Sequence, residues 1–210
     1  MASRKRPSGR RERNKEQTRK KIVGAALQLF NAKGYEATTT KQIARKAGIA
    51  EGTVFNYFET KDDIALHFFE QEVDHAIAAV RSKPSLRKRP LEEKLFALIQ
   101  SQIEFLTPHE KFIGAAFVHA LRPTSKLAFS VQAMALRTRY LAFVQQLIDE
   151  SFPSGRINSL AWMAPQVFWI YYLGVLLYWL HDSSDGKQQT LAFLDRSLEL
   201  GVAMLRKGTV

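Results

Sequence analysis

Thr39-Thr40-Lys41-Gln42-Ile43-Ala44-Arg45-Lys46-Ala47-Gly48-Ile49-Ala50-Glu51-Gly52-Thr53-Val54-Phe55-Asn56-Tyr57-Phe58 reads as two short helices joined by a glycine turn, the helix-turn-helix of a DNA-binding protein. Thr39 and Gln42 have the spacing of a capping box, in which hydroxyl and amide satisfy orphan backbone donors at a helix start. Ile43, Ala44 and Ala47 then give a small apolar face for close packing. Gly48 supplies the positive φ that ends this helix, and Ile49 plugs the angle between the two. In the second helix Val54 and Phe58 face inward, which leaves Gly52, Thr53, Asn56 and Tyr57 outside. Thr60 and Asp63 repeat the capping spacing and predict a further helix from Lys61.

Working outward, Ile22 to Phe30, Gly34-Tyr35-Glu36-Ala37-Thr38-Thr39, Ile43-Ala44, Ala47-Gly48, Gly52 to Phe58 and Lys61 to Ile64 occur in the order, and without gaps, in which they resemble the TetR family of bacterial transcriptional regulators. The resemblance implies an all-α homodimer. Three N-terminal helices would bind DNA, and a larger C-terminal domain would bind a ligand and dimerise. Aligned on the family, Thr39, Thr40 and Lys41 begin the first motif helix beside the DNA backbone. Glu51, Gly52, Thr53, Phe55 and Asn56 face the major groove, and Tyr57 and Lys61 reach phosphates.

By side-chain chemistry, Asn56 can pair bidentately with adenine, Thr53 can touch a thymine methyl or a phosphate, and Glu51 can accept from cytosine N4. Glu51 has a second reading, as an anion complementing the helix N-terminus. Two residues depart from the family pattern. Ala50 stands where a capping Ser is usual, and Phe55 replaces a frequent Tyr.

Charge points to the same partner independently. Residues 1–61 hold 15 Lys or Arg against 5 acids, so they carry +10 of the chain's net +11. The basic run 1–14 is expected as a flexible arm, either solvated or laid against the DNA. Residues 15–62 form the expected DNA-binding domain and 63–210 the effector-binding and dimerisation domain. A chain of 210 residues with 46% apolar content can bury an ample core. It has no cysteine, and no apolar segment of a secretory signal follows the basic start, so a cytoplasmic protein is expected.

Helical patterns are expected at about 16–33, 40–47, 51–57, 61–82, 91–106, 109–121, 125–151, 157–181 and 187–206, separated by Pro84, the Arg87 to Pro90 loop, Pro108, Pro123 and the Phe152 to Gly155 break. Leu160 to Leu180 is free of charge, but Pro165 and Gln166 leave only Val167 to Leu180 as a clean apolar run. That is short of the about 20 residues of a membrane span and ordinary for a buried helix. A helix apolar on every side needs cover on every side. In the last helix Leu191, Leu194, Leu198, Val202 and Leu205 form one stripe, and Phe193, Leu200 and Met204 a second. Paired hairpins predict a four-helix dimer interface that includes Leu176 and Trp179 with the first stripe.

No phosphate loop, activated Ser, carboxylate pair or metal-ligand spacing stands out, so neither an enzyme nor a cofactor nor a metal site is expected. Aromatic residues are abundant instead. Phe105, Phe112, Phe117, Trp162, Trp169 and Tyr172 are the candidate lining of a pocket for a small hydrophobic or aromatic effector. The functional expectation is a homodimeric repressor that binds a palindromic operator and is released by that effector. The alternative is a DNA-binding activator or architectural protein without an effector.

Overall fold

The computed structural model describes residues 8–152 and 161–206. Among them every regular element is helical: α1 Ser8–Lys33, α2 Thr40–Ala47, α3 Glu51–Phe55, α4 Lys61–Arg81, α5 Leu91–Leu106, α6 Glu110–Ala120, α7 Lys126–Phe129, α8 Val131–Ser151, α9 Ala164–His181 and α10 Gln188–Leu205, with short 3₁₀ turns between some of them. The all-α expectation holds. No described helix is long and apolar enough to cross a membrane.

Three boundaries differ from the sequence pattern. α1 begins at Ser8, so residues 8–14 continue a helix rather than form a loose arm, and residues 1–7 lie outside the described part. α3 ends at Phe55, where Asn56 and Tyr57 enter a turn closed by bonds from Tyr57 N and Phe58 N to the Val54 carbonyl. The expected helix 125–151 is two, because Ser130 adopts an extended backbone (ψ 158°) between α7 and α8. The expected helix start at 157 also lies outside the described residues.

Contacts divide the chain into two units, the first from residues up to 69 together with 109–130, the second from 70–108 together with 131 onward. The boundary expected at 62/63 therefore falls inside α4, and α6 and α7 belong with the DNA-binding helices. In the first unit Ile22, Ala26, Phe30, Tyr35, Ile43, Val54, Ile64 and Phe112 form the core, each at most 1% exposed. Phe112 lies in a ring cluster with Phe30 (4.8 Å), Tyr35 and Phe68 (both 5.7 Å) and Phe69 (5.9 Å). Each such ring adds about 0.5–1.5 kcal/mol beyond its area burial.

In the second unit α5, α8, α9 and α10 bury Leu98, Ile99, Val144, Val175, Trp179 and Leu194, none more than 0% exposed. The turn from α9 to α10 is fixed by Asp182. It accepts from Ser184 N (2.8 Å) and Oγ (2.6 Å) and from Thr190 N (2.8 Å) and Oγ1 (2.6 Å). Burial alone would raise this carboxyl, but the donors outweigh it and hold the pKa well below the usual carboxylate range. Beside it Lys187 sits in the left-handed region (φ 58°), where its Nζ donates to the carbonyls of Trp179 and Asp182.

Candidate DNA-binding and effector sites

The start of α2 is built as its sequence predicts. Gln42 N donates to Thr39 Oγ1 (3.3 Å) while Thr39 N donates to Gln42 Oε1 (3.2 Å), and Gly48 (φ 69°) closes the helix with bonds to the Ala44 and Arg45 carbonyls. Ile43, Ala44 and Val54 face inward. This leaves Thr39, Lys41, Gly52, Phe55 and Asn56 exposed and Thr40, Glu51, Thr53 and Tyr57 half-buried. Ala50 makes no side-chain cap to α3.

Two of the candidate residues have partners within the unit. Glu51 Oε1 accepts from Thr40 Oγ1 (3.1 Å), so the carboxylate ties the first turn of α3 to the first turn of α2. The Lys61 ammonium donates to the carbonyls of Tyr35 (2.8 Å) and Glu36 (3.2 Å), lies 3.6 Å from the Glu36 carboxylate and sits over the Tyr35 ring at 4.6 Å. Its charge is engaged within the unit, and the helix start is closed by the capping pair, Thr60 N donating to Asp63 Oδ2 (2.8 Å) and Asp63 N to Thr60 Oγ1 (3.3 Å).

Around Lys61 the end of α6 forms a clasp. His119 bonds Glu36 Oε1 (2.8 Å) on one ring nitrogen and lies 3.4 Å from Asp62 Oδ2 on the other, Arg122 meets Glu36 at 2.7 Å, and the Tyr35 hydroxyl donates to Asp62. The His119 bond, followed by the Lys61 and Arg122 charges, lowers the Glu36 pKa. Burial and the Asp62 bond push the Tyr35 phenol far upward. At the other end of α6, Asn31 accepts from Phe112 N (3.3 Å) and bonds His109 Nδ1 (2.9 Å). His109 and His119 thus have structural partners, and none of this was visible locally because every bond joins distant segments. Among the described residues no cluster could hold a metal ion.

The six expected effector residues divide between the two units. Phe112 and Phe117 belong to the first unit, and Phe112 is fully buried in its ring cluster. Phe105 contacts His75 in the second unit (5.3 Å), and Trp162 is 73% exposed. Trp169 and Tyr172 adjoin, at 5.9 Å, each also against Tyr140. The second unit does contain a cavity of about 380 Å³, walled by Leu95, Val144, Ile148, Phe168, Tyr171 and Val202 among others. Of these, Val202 belongs to the apolar stripe expected of the last helix.

Five of the seven residues expected at a dimer interface are covered within the chain itself. Leu176, Trp179, Leu194, Leu198 and Val202 are at most 7% exposed and pack inside the unit, and Leu191 and Leu205 are half-buried. Both stripes of α10 exist, but the outward one is Phe193, Leu200 and Met204, continued on α9 by Val167, Ile170, Leu177 and Tyr178. A run apolar all round gave no signal of which side faces out.

A capped helix, a left-handed glycine turn and a short helix with exposed polar tips define a helix-turn-helix regulator. The comparisons make the class specific. Residues 22–68 match bacterial regulatory proteins of the tetR family, and residues 94–210 match the tetracyclin repressor-like C-terminal domain. The chain belongs to the TetR family of transcriptional regulators, whose members are not enzymes. It is 25% identical over 138 residues to the fatty acid metabolism regulator protein of Bacillus subtilis, spanning 66% of this chain and 70% of that one. Its fold matches the TetR regulator of Nitrosomonas europaea (TM-score 0.72, 18% identity, 89% and 99% of the two chains). It also matches FadR of Bacillus subtilis solved with stearoyl-CoA (TM-score 0.69, 21% identity, 89% and 98%).

Proposed function

We propose that the protein is a homodimeric, ligand-responsive repressor that binds a palindromic operator and leaves it when a small hydrophobic effector enters the second unit. The observation that supports this reading is the capped α2, the left-handed Gly48 turn and the short α3, on which Thr39, Lys41, Gly52, Phe55 and Asn56 are exposed and Thr53 is half-buried. Lys41 and the capped start of α2 meet phosphates, while Asn56 and Thr53 read base edges. Thr40 and Glu51 fix the angle between the two helices through their shared bond, Tyr57 reaches a phosphate, and Lys61 holds the Tyr35 and Glu36 carbonyls ahead of α2.

The effector class is supported by the 380 Å³ apolar cavity of the second unit and by the relative that holds stearoyl-CoA. α4 supplies Lys61 to Phe69 to the first unit and Glu70 to Arg81 to the second. A ligand that favours one placement of α4 thereby shifts the population away from the DNA-binding state. The exposed apolar stripe of α9 and α10 supplies the self-complementary dimer surface.

Gel shifts across a salt series test the DNA assignments. Asn56→Ala should lose about 1–3 kcal/mol of preference for the selected site over random DNA. Lys41→Ala should weaken both by similar factors and reduce the salt slope by about 0.9. Equal loss of specific and random binding in Asn56→Ala contradicts the base-reading role.

A further inference from the structure

Four helices of the second unit each place one polar side chain at the same buried point: Glu72 from α4, Gln102 from α5, Tyr140 from α8 and Tyr172 from α9, all at most 5% exposed. Tyr140 Oη donates to Gln102 Oε1 (2.6 Å) and Tyr172 Oη donates to Glu72 Oε1 (3.4 Å). The Gln102 amide lies close enough to favour an ionised Glu72, yet its Nε2 completes no hydrogen bond among the described residues. No cation reaches Glu72 among them. The donors suit a carboxylate, but no positive side chain among the described residues pairs with it, so in the unliganded protein burial favours its neutral form.

The walls of this point are aromatic. Tyr140 is within 5.6–6.2 Å of Tyr172, Phe168 and Trp169, and the outer face of Trp169 already carries the Arg137 guanidinium at 5.3 Å. Phe168, 6.1 Å from the Tyr140 ring, also lines the apolar cavity, so the aromatic wall of the polar point reaches the hydrocarbon space.

We infer that Glu72, with Gln102, Tyr172 and the surrounding rings, is a head-group site for a protonated amine, and that the effector is an organic cation with a hydrocarbon portion that occupies the cavity. The inference rests on the proposed effector reading and sharpens it. An ammonium supplies the missing charge to Glu72 in a low-dielectric setting, and ring faces attract it further. The other titratable groups facing Glu72 are Tyr140 and Tyr172, whose phenols burial and then the Glu72 charge push far upward, so they stay neutral near pH 7.

Calorimetry with three probes of one chain length, decylammonium, 1-decanol and decanoate, each below its critical micelle concentration, tests this. The unaltered protein at pH 7.5 should bind decylammonium about tenfold more tightly than decanol, with decanoate weakest. In Glu72→Gln decylammonium and decanol should bind alike. In the unaltered protein, lowering the pH from 8 to 6 should weaken decylammonium and leave decanol unmoved, an arm that needs no variant to fold. If decanol or decanoate binds and decylammonium does no better, the amine site is overturned while the apolar effector stands. If none of the three binds, both are overturned.

Discussion

Glu72 is the residue at which local chemistry and function meet most sharply. Burial pushes its carboxyl up to about 7 against the opposing bonds from Gln102 and Tyr172. A carboxyl raised in the folded state binds its proton more tightly there than in the unfolded chain, so its contribution opposes folding as pH rises from the ordinary value of 4.5 toward 7. Stability of the unliganded protein should therefore fall across that window by up to about 3 kcal/mol from this group alone. Denaturant melts of Glu72→Gln at pH 5 and pH 8 check it. The variant should flatten the slope and be the more stable protein at pH 8, and an unchanged slope would show that Glu72 is not the buried proton-binding group. Sequence could not reveal this role. Glu72 sits in an ordinary helical pattern, and its neighbours Gln102, Tyr140 and Tyr172 come from three other helices.

At the scale of elements, what was legible was what is local. The capping box of Thr39 and Gln42, the left-handed Gly48 and the missing cap at Ala50 all depend on residues a few positions apart, and each is found where the pattern puts it. The membership of α6 was not legible, because Phe112 N bonds Asn31 across a sequence separation of 81 and its ring is placed by α1 and α4. The length of α3 was overestimated for a related reason. Val54 and Phe58 both face inward, but the backbone between them is a turn rather than helix. Ala50→Ser should add the missing side-chain acceptor and stabilise the first unit by about 1 kcal/mol. Thermal melts would register this as a higher transition temperature, and an unchanged or lower one would show that the α3 start is already satisfied.

For the whole molecule, the decisive surface is the outward stripe of α9 and α10. Ile170 (71% exposed), Leu200 (66%) and Met204 (75%) form an apolar face that an isolated chain would leave in water. Ile170→Asp with Leu200→Asp should give a folded monomer by sedimentation, since neither side chain packs within its own unit. A dimer that survives both changes would place the interface elsewhere. Two linked helix-turn-helix units are what a palindrome requires, with recognition helices about 34 Å apart. The most direct test is an anisotropy titration of the protein onto a duplex recovered by its own selection from random DNA, with and without a ten-carbon apolar ligand. Two chains should bind one inverted repeat, and the ligand should weaken that binding about tenfold or more. One chain on a duplex without repeat symmetry, or an affinity that no such ligand changes, would contradict the account.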